Sequence, residues 1–423
     1  MIYDIKDLSL ADEGLERIRW ADQDMPVLAS IRTRFEQEQP LQGIRIAACL
    51  HVTAETANLM RTLKAGGAEV SLCATNPHST QDDTAAALVT YYEIPVFAIK
   101  DEDSQTFYRH IDAVIDTLPH ITMDDSANLA GAIHERRTDA LQTIVGGTEQ
   151  TISGVLKLVS LAKQNALKYP VIAVNEAKTK RLVDNRYGTG QSTLDGIVRA
   201  TNRLIAGRTV VISGYGWCGR GLAERARGMG GRVIICEVDP LKALEAIMDG
   251  FSVMPAAEAA KACDIWITAT GDIKAIDAPA FEALKDGAII CNTGHFNTEI
   301  NIPWLEENAV EHTTLRDNVE QYSLPDGRTV LLLAEGRQVN LSCAEGHPAS
   351  VMDMNFANLA LSAHYLIDHA SELTEHCYDV PEDVNTNLAQ LKLETLGVHI
   401  DTLTPEQIKY LNTWDNGYRF IEG

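Results

Sequence analysis

The tightest constraint on this chain is a run of six residues near its middle, Gly214-Tyr215-Gly216-Trp217-Cys218-Gly219. The apolar stretch 209–213 before it reads as a buried strand, and 220–229 after it reads as a helix. A second apolar strand, 232–236, ends at Glu237, about twenty residues beyond the first glycine. Glycines at this spacing allow a tight turn and close approach of a pyrophosphate. The helix N-terminus favours the phosphates, and the carboxylate suits a ribose hydroxyl pair. Together they predict a dinucleotide-binding unit that holds NAD through Gly214, Gly216, Gly219 and Glu237. The competing reading is an ordinary glycine-rich turn between strand and helix. Because the unit is central, sequence on both sides must build whatever faces the cofactor.

At 423 residues the chain exceeds one typical core and calls for two large lobes. The first lobe alternates strands over 44–50, 68–73, 95–98, 113–116, 144–146 and 171–174 with helices over 55–65 and 153–166. The second adds strands over 264–268, 288–291 and 329–333, with helices over 240–249 and 256–262. A late helix, 355–367, returns the chain to the first lobe, and a polar segment over 404–414 follows. This alternation predicts an α/β protein of two doubly wound, Rossmann-like domains with parallel sheets and a short C-terminal helical segment. The expected division is 1–185 with 346–385 for substrate, 186–345 for NAD, and 386–423 for oligomerisation.

A net charge of −23 lacks the basic stripe of a nucleic-acid surface. No run approaches the roughly 18 apolar residues of a membrane span, and the opening residues lack the pattern of a secretory leader. The eight cysteines are scattered without CxxC pairs. A reduced, cytoplasmic protein without a metal site is the expectation.

In sheets of this kind, ligands bind beyond the carboxyl ends of strands. Polar residues gather there in five places: His51 to Thr56; Asn76 to Asp83; Met123 to Asp125; Lys178 to Asn185; and the pair Gly294-His295-Phe296-Asn297 and Glu345-Gly346-His347-Pro348. Singly, each has a structural reading: Thr53 and Ser79 as helix N-caps, Lys180 and Asp184 as an i,i+4 ion pair. Their recurrence after successive strands favours a shared site.

On these segments the chain resembles the S-adenosyl-L-homocysteine hydrolase family from about residue 10 to about 415. His51-Val-Thr-Ala-Glu-Thr56, Ser79-Thr-Gln-Asp82, Asp184-Asn-Arg-Tyr-Gly188 and Gln191-Ser-Thr-Leu-Asp-Gly196 carry it, with Gly214 to Gly221, Gly294-His-Phe296, Leu333 to Arg337 and Gly346-His-Pro348. The glycine run is similar to that of the archaeal and thermophilic-bacterial branch. The resemblance implies hydrolysis of S-adenosyl-L-homocysteine to adenosine and homocysteine. Bound NAD oxidises the ribose 3′-hydroxyl, the C4′ proton becomes acidic, the 5′ thiolate leaves, water adds, and the hydride returns.

It further implies roles by position. Lys180 and Asp184 handle the 3′ proton, and a buried lysine is a candidate base. Asp125, His51 and His295 surround C5′. Thr53, Glu55, Gln81, Gln150, His347 and Met352 contact substrate or its gating loop. Thr151, Asn185, Asn292 and Asn340 join the glycines and Glu237 on NAD. A homotetramer or homodimer is implied as well.

The chain departs from the family pattern at several positions. Gln150 and Asn128 stand where carboxylates are usual, and Ile152 replaces a hydroxyl residue; an amide can hydrogen-bond but cannot take a proton. On that reading, Gln150→Glu raises hydrolase activity. Thr189 stands where many members carry cysteine, and the end, Trp414 to Gly423, lacks a lysine-and-tyrosine tail. These departures leave room for another nucleoside substrate: S-inosyl-L-homocysteine, or a 5′-dehydratase or lyase using the same 3′-oxidation. A catalytically weak NAD- and nucleoside-binding protein is the reading of another class.

Overall fold

The computed structural model describes residues 2–414. β1 (Asp4–Ile5), β2 (Arg45–Leu50), β3 (Glu69–Ala74), β4 (Val96–Ala98), β5 (Ile121–Asp124), β6 (Gly146–Glu149) and β7 (Val171–Ala173) belong to the first of two eight-stranded sheets. The second contains β8 (Thr209–Ser213), β9 (Arg232–Cys236), β10 (Ser252–Val253), β11 (Ile265–Thr268) and β12 (Ala288–Asn292). It is completed by β13 (Glu311–Arg316), β14 (Val319–Ser323) and β15 (Thr329–Leu333). The chain then returns, and β16 (Cys377–Asp379) joins the first sheet beside β7.

The first sheet runs β1-β4-β3-β2-β5-β6-β7-β16 with every neighbour parallel. The second runs β10-β9-β8-β11-β12-β15-β14-β13. Its order reverses between β8 and β11, as the first does between β2 and β5, so each sheet opens a crevice at its own switch point. Residues just after β2 and β5, and after β8 and β11, therefore face ligand-sized space. Both strand pairs are buried on both faces. Ile46, Ala48 and Leu50 of β2 enter one core while Ala47 and Cys49 enter another. Val210 and Ile212 of β8 likewise separate from Val211. This is the period-2 division of a strand covered on each side.

Four expectations need correction. Residues 113–116 are not a strand but the end of the helix Ser104–Ile115 and the residue after it. Ile111, Val114 and Ile115 are buried at helical spacing, so a short window mistakes one apolar helix face for a strand. The strand near 144–146 begins only at Gly146 and ends at Glu149. Its Gly-Gly-Thr-Glu composition carries no β signal, yet all four residues are buried. Ser79 caps no helix: the next one starts at Asp82, and Ser79 Oγ instead donates to Asn76 O at 3.0 Å. The second sheet is not wholly parallel, because β14 runs antiparallel to β15 and β13 antiparallel to β14. β13 is polar and almost wholly exposed, which hid it.

Thr53 does cap the helix Ala54–Ala65, accepting from Thr56 N. The late helix is longer than expected, Ala349–Asp368, and buries Phe356, Leu359 and Ala363 in the first lobe's core. Within 404–414, Pro405–Leu411 forms a helix closed by a Thr404–Gln407 capping box. Residues 415–423, part of the expected oligomerisation segment and of the C-terminal departure, lie outside the described residues.

Candidate active site

The two crevices meet in one cavity of about 310 Å³. Its walls include His51, Thr53, Glu55, Asp125, Gln150, Thr151, Lys180, Asp184, Asn185, His295, Asn340, His347 and Met352. Gln81 lies outside these walls and braces the first turn of the Ala54–Ala65 helix, its Oε1 accepting from Ala54 N at 3.0 Å. Asn128 lies outside as well: its amide donates to Thr75 Oγ1 at 2.9 Å and to Asp125 O at 3.2 Å. That departure from the family pattern therefore holds a loop.

One cluster is built on an unusual turn. Residues Arg181–Gly188 wind as a π-helix, which brings both i+4 and i+5 onto the face of Lys180. The Lys180 ammonium has three N–H groups and meets three oxygens: Asn175 Oδ1 at 3.2 Å, Asn185 Oδ1 at 3.1 Å and Asp184 Oδ1 at 3.2 Å. Asp184 also lies 3.4 Å from His347 Nε2 and accepts from Asn355 Nδ2 at 3.1 Å. Burial works to raise the Asp184 carboxyl, but Lys180 and His347 outweigh it and hold the group well below the usual carboxylate range. Ser192 Oγ, 3.0 Å from His347 Nδ1, accepts from Asn340 Nδ2 at 3.3 Å.

The other cluster centres on Asp125, directly after β5, and on His51, directly after β2. Asp125 Oδ2 lies 3.5 Å from His51 Nε2. Ser79, whose proton goes to Asn76 O, accepts from His51 Nδ1 at 2.6 Å. His51 Nε2 is then the lone-pair nitrogen, and it faces a carboxylate. Two acceptors so placed need a mobile proton between them. His295 comes from the opposite lobe, its Nε2 at 2.7 Å from Ser126 Oγ. Burial lowers both histidines, with Asp125 opposing, so both favour the neutral ring.

Gln150 and Asn355 join the clusters. Gln150 Nε2 donates to Asp125 Oδ2 at 2.8 Å, and its Oε1 accepts from Asn355 Nδ2 at 3.2 Å. Asn355, Ser192 and Asn175 were not singled out from sequence. The available cue was the late helix, where Asp353, Asn355, Asn358 and Ser362 are buried on an otherwise apolar element. Buried polar side chains of that kind need partners.

The second crevice fits a dinucleotide. Gly214 follows β8 with φ +95°, a conformation open to glycine, and a Cβ there would meet Ala269 O of the loop after β11 at 2.8 Å. A Cβ at Gly219 would lie 1.9 Å from Gly214 O, whereas nothing stands within 4 Å of one at Gly216. The helix Trp217–Gly228 starts there with no side-chain cap, leaving its amides for phosphate. Glu237 directly follows β9, its Oε2 accepting from Tyr215 N at 2.6 Å and its Oε1 from Val238 N at 2.7 Å and Asp239 N at 3.0 Å, so it ties the glycine turn to the end of that strand. Asn340 Oδ1 is buried without a partner in a wall of the cavity. Asn292 is fully committed: its amide donates to Gly294 O, Phe296 O and Gly336 O, and its oxygen accepts from Thr268 and Gly294. It shapes the His295 loop and has no group left over for the cofactor.

Two doubly wound lobes, one with a dinucleotide cradle and one with paired acid, histidine and lysine clusters, define a two-lobe α/β enzyme that holds NAD against a small substrate. Residues 2–141 match the family model S-adenosyl-L-homocysteine hydrolase, and 185–346 match the model of its NAD binding domain. The adenosylhomocysteinase of Aquifex aeolicus is 60% identical over 417 residues, 99% of this chain and 100% of that protein. The adenosylhomocysteinase of Saccharolobus solfataricus is 54% identical over 418 residues, again 99% and 100%. The chain belongs to the S-adenosyl-L-homocysteine hydrolase family. A dipicolinate synthase chain from Bacillus halodurans shares the fold at 13% identity, with a TM-score of 0.52 over 77% of this chain and 99% of that one.

Proposed function

We propose that this chain hydrolyses S-adenosyl-L-homocysteine to adenosine and homocysteine and recycles its NAD at every turnover. The observation that carries this reading is the pair of clusters in one cavity, Lys180–Asp184–His347 and His51–Asp125–His295, set beside the dinucleotide cradle. The full-length likeness to adenosylhomocysteinases supports the same substrate, and the other nucleoside substrates draw no support from those relatives. The polar side chains gathered in the cavity argue against a mere binding protein.

The chemistry that NAD supplies when bound is reversible hydride acceptance at the ribose 3′ carbon. The protein's residues do the remainder. Asp184, held ionised, accepts from a ribose hydroxyl, and Lys180 beside it takes part in removing and returning the 3′ proton. His51 Nε2 and Asp125 exchange the proton that the departing 5′ thiolate needs and that incoming water gives up. Gln150 neutralises no charge and orients Asp125. Thr53, Glu55 and Met352 bound the nucleoside, and the two lobes keep bulk water from the cavity. Thr151, Asn185, Asn340, the glycines and Glu237 hold NAD.

Residues 1–185 and 346–385 act as the substrate unit and 186–345 as the NAD unit. The segment from 386 onward serves oligomerisation into a homotetramer or homodimer. The exposed side chains of Leu396, Ile400, Leu403, Leu411 and Trp414 support that last role. Among the described residues no helix is long and apolar enough to cross a membrane. Eight cysteines, all free, support a cytoplasmic site of action.

The test is to incubate purified, NAD-loaded protein with S-adenosyl-L-homocysteine and follow thiol release together with NADH absorbance. Stoichiometric thiol with only transient NADH supports the proposal. No thiol and no NADH with this substrate would reject it. Light scattering on a sizing column tests the oligomer.

A further inference from the structure

Ser126 follows Asp125 at the switch point of the first sheet, and its backbone sits in the left-handed region, φ +74°. A residue with a Cβ is disfavoured there relative to glycine. The conformation is forced from both sides. Ser126 N donates to Glu149 Oε1 at 3.0 Å and to Thr151 Oγ1 at 2.9 Å, while Ser126 O accepts from Lys157 Nζ at 3.0 Å. Glycine would satisfy all of these bonds without strain, so the side chain needs another explanation. Its hydroxyl is buried with three polar neighbours, His295 Nε2 at 2.7 Å, Asp125 Oδ1 at 3.2 Å and, more distantly, Ser153 Oγ at 3.4 Å.

A serine hydroxyl has one proton. A carboxylate only accepts, and Asp125 is a nearer and stronger acceptor than the neutral Ser153 hydroxyl, so that proton goes to Asp125 and the bond to His295 requires the ring to donate from Nε2. We propose that Ser126 is a positioning residue for the 5′ chemistry: its hydroxyl ties His295 of the second lobe to Asp125 of the first and fixes His295 as the Nε2–H tautomer. His295 Nδ1 is thereby left as the acceptor nitrogen. The ring stands edge-on to Phe296, with centroids 4.6 Å apart, and Lys157 lies 5.5 Å from the Phe296 ring. Asp125 and Lys157 are the charged groups facing His295 from the opposite lobe. The inference rests on the assignment of Asp125 and His295 to the 5′ position, and it adds the group that couples them across the cleft.

Ser126→Ala and Ser126→Gly test it, the second removing hydroxyl and strain together. With NAD-loaded protein and S-adenosyl-L-homocysteine, both variants should form NADH within about twofold of the parent. Thiol release should slow roughly 10- to 100-fold. Nitrogen-15 shifts of the His295 ring, read without substrate, should lose the Nε2–H preference in both variants, and Ser126→Gly should melt no lower than the parent. Thiol release at the parent rate, equal slowing of both steps, or an unchanged His295 tautomer would each overturn the proposal. Absence of NADH with the parent protein would fail the hydrolase reading instead and leave the ring-nitrogen measurement to decide the role of Ser126.

Discussion

Gln150 Nε2 donates to Asp125 Oδ2 across 2.8 Å, so the amide at the position where the family resemblance implies a carboxylate is hydrogen-bonded inside the cavity wall. Both ends are used, since Gln150 Oε1 accepts from Asn355. A glutamate in this place would set two carboxylates about one hydrogen bond apart, and they could not both ionise without a shared proton. This argues against the sequence-based expectation that Gln150→Glu simply raises activity. The expected outcome is an acid limb of kcat/KM moved upward by about one pH unit, a tenfold loss on that limb, with the plateau at higher pH retained. A superimposable pH profile would count against it.

Removing the Asp184 carboxylate leaves the buried Lys180 ammonium facing only amide oxygens. Asp184→Asn should cost roughly 3 kcal/mol of stability at neutral pH and abolish NADH formation with substrate. The sign with pH follows from the depressed carboxyl. Its stabilisation is fully present above the unfolded value of about 3.9 and is lost as pH falls through the lower folded value. Urea titrations of parent and variant should therefore differ by the same amount at pH 6 and pH 8 and converge only in strong acid. Equal stability at neutral pH would show that the pair contributes nothing.

Much of this site was legible because its residues follow strands. His51 comes after the apolar run of β2, Gly214 after β8 and His295 shortly after β12, and each run announces a switch point or its neighbour. Asp125 was legible only as a motif, since its strand β5 was displaced by the helical end at 113–116. Residues that act through buried hydrogen bonds were harder to see. Asn355 and Ser192 lie inside helices where periodicity marks them as core, and nothing local says which polar atom they meet. Ser126 carries no local signal of its role, because its left-handed backbone belongs to the fold. Asn292 shows the reverse case, a residue in a cofactor position whose amide is used by Gly294 and Phe296 of the His295 loop and by Gly336 after β15.

His51 and His295 give a second pH dependence on the acid side, nearer neutrality than that of Asp184. Burial holds both below the ordinary histidine value in the folded protein. On acidification the unfolded chain binds protons first, so stability is full above about pH 6.5 and falls as pH drops from there toward the folded values. Protonated His51 also loses the lone pair that faces Asp125. His51→Asn should flatten part of the stability loss between about pH 6.5 and pH 5 while slowing thiol release about 10²- to 10⁴-fold. A stability curve parallel to the parent's would mean that the imidazole is not the titrating group.

The glycine run allows cofactor binding to be separated from folding, because its second and third glycines fail for different reasons. At Gly219 an added methyl would strike Gly214 O at 1.9 Å, backbone against backbone, and the turn would have to move. Gly219→Ala should cost at least about 2 kcal/mol of stability whether or not NAD is present. Gly216 has φ −75° and ψ −164°, values open to alanine, and its methyl would meet nothing within 4 Å. Gly216→Ala should then lose less than about 1 kcal/mol, the cost of a poor N-cap. Yet that methyl would occupy the space a pyrophosphate needs to reach the amides of Trp217 and Cys218. NAD affinity, read by calorimetry on protein stripped of cofactor, should fall at least about tenfold, which is 1.4 kcal/mol. Parent-like affinity in Gly216→Ala would place the phosphates elsewhere than over this helix end, and the glycine run would then be a structural turn after all.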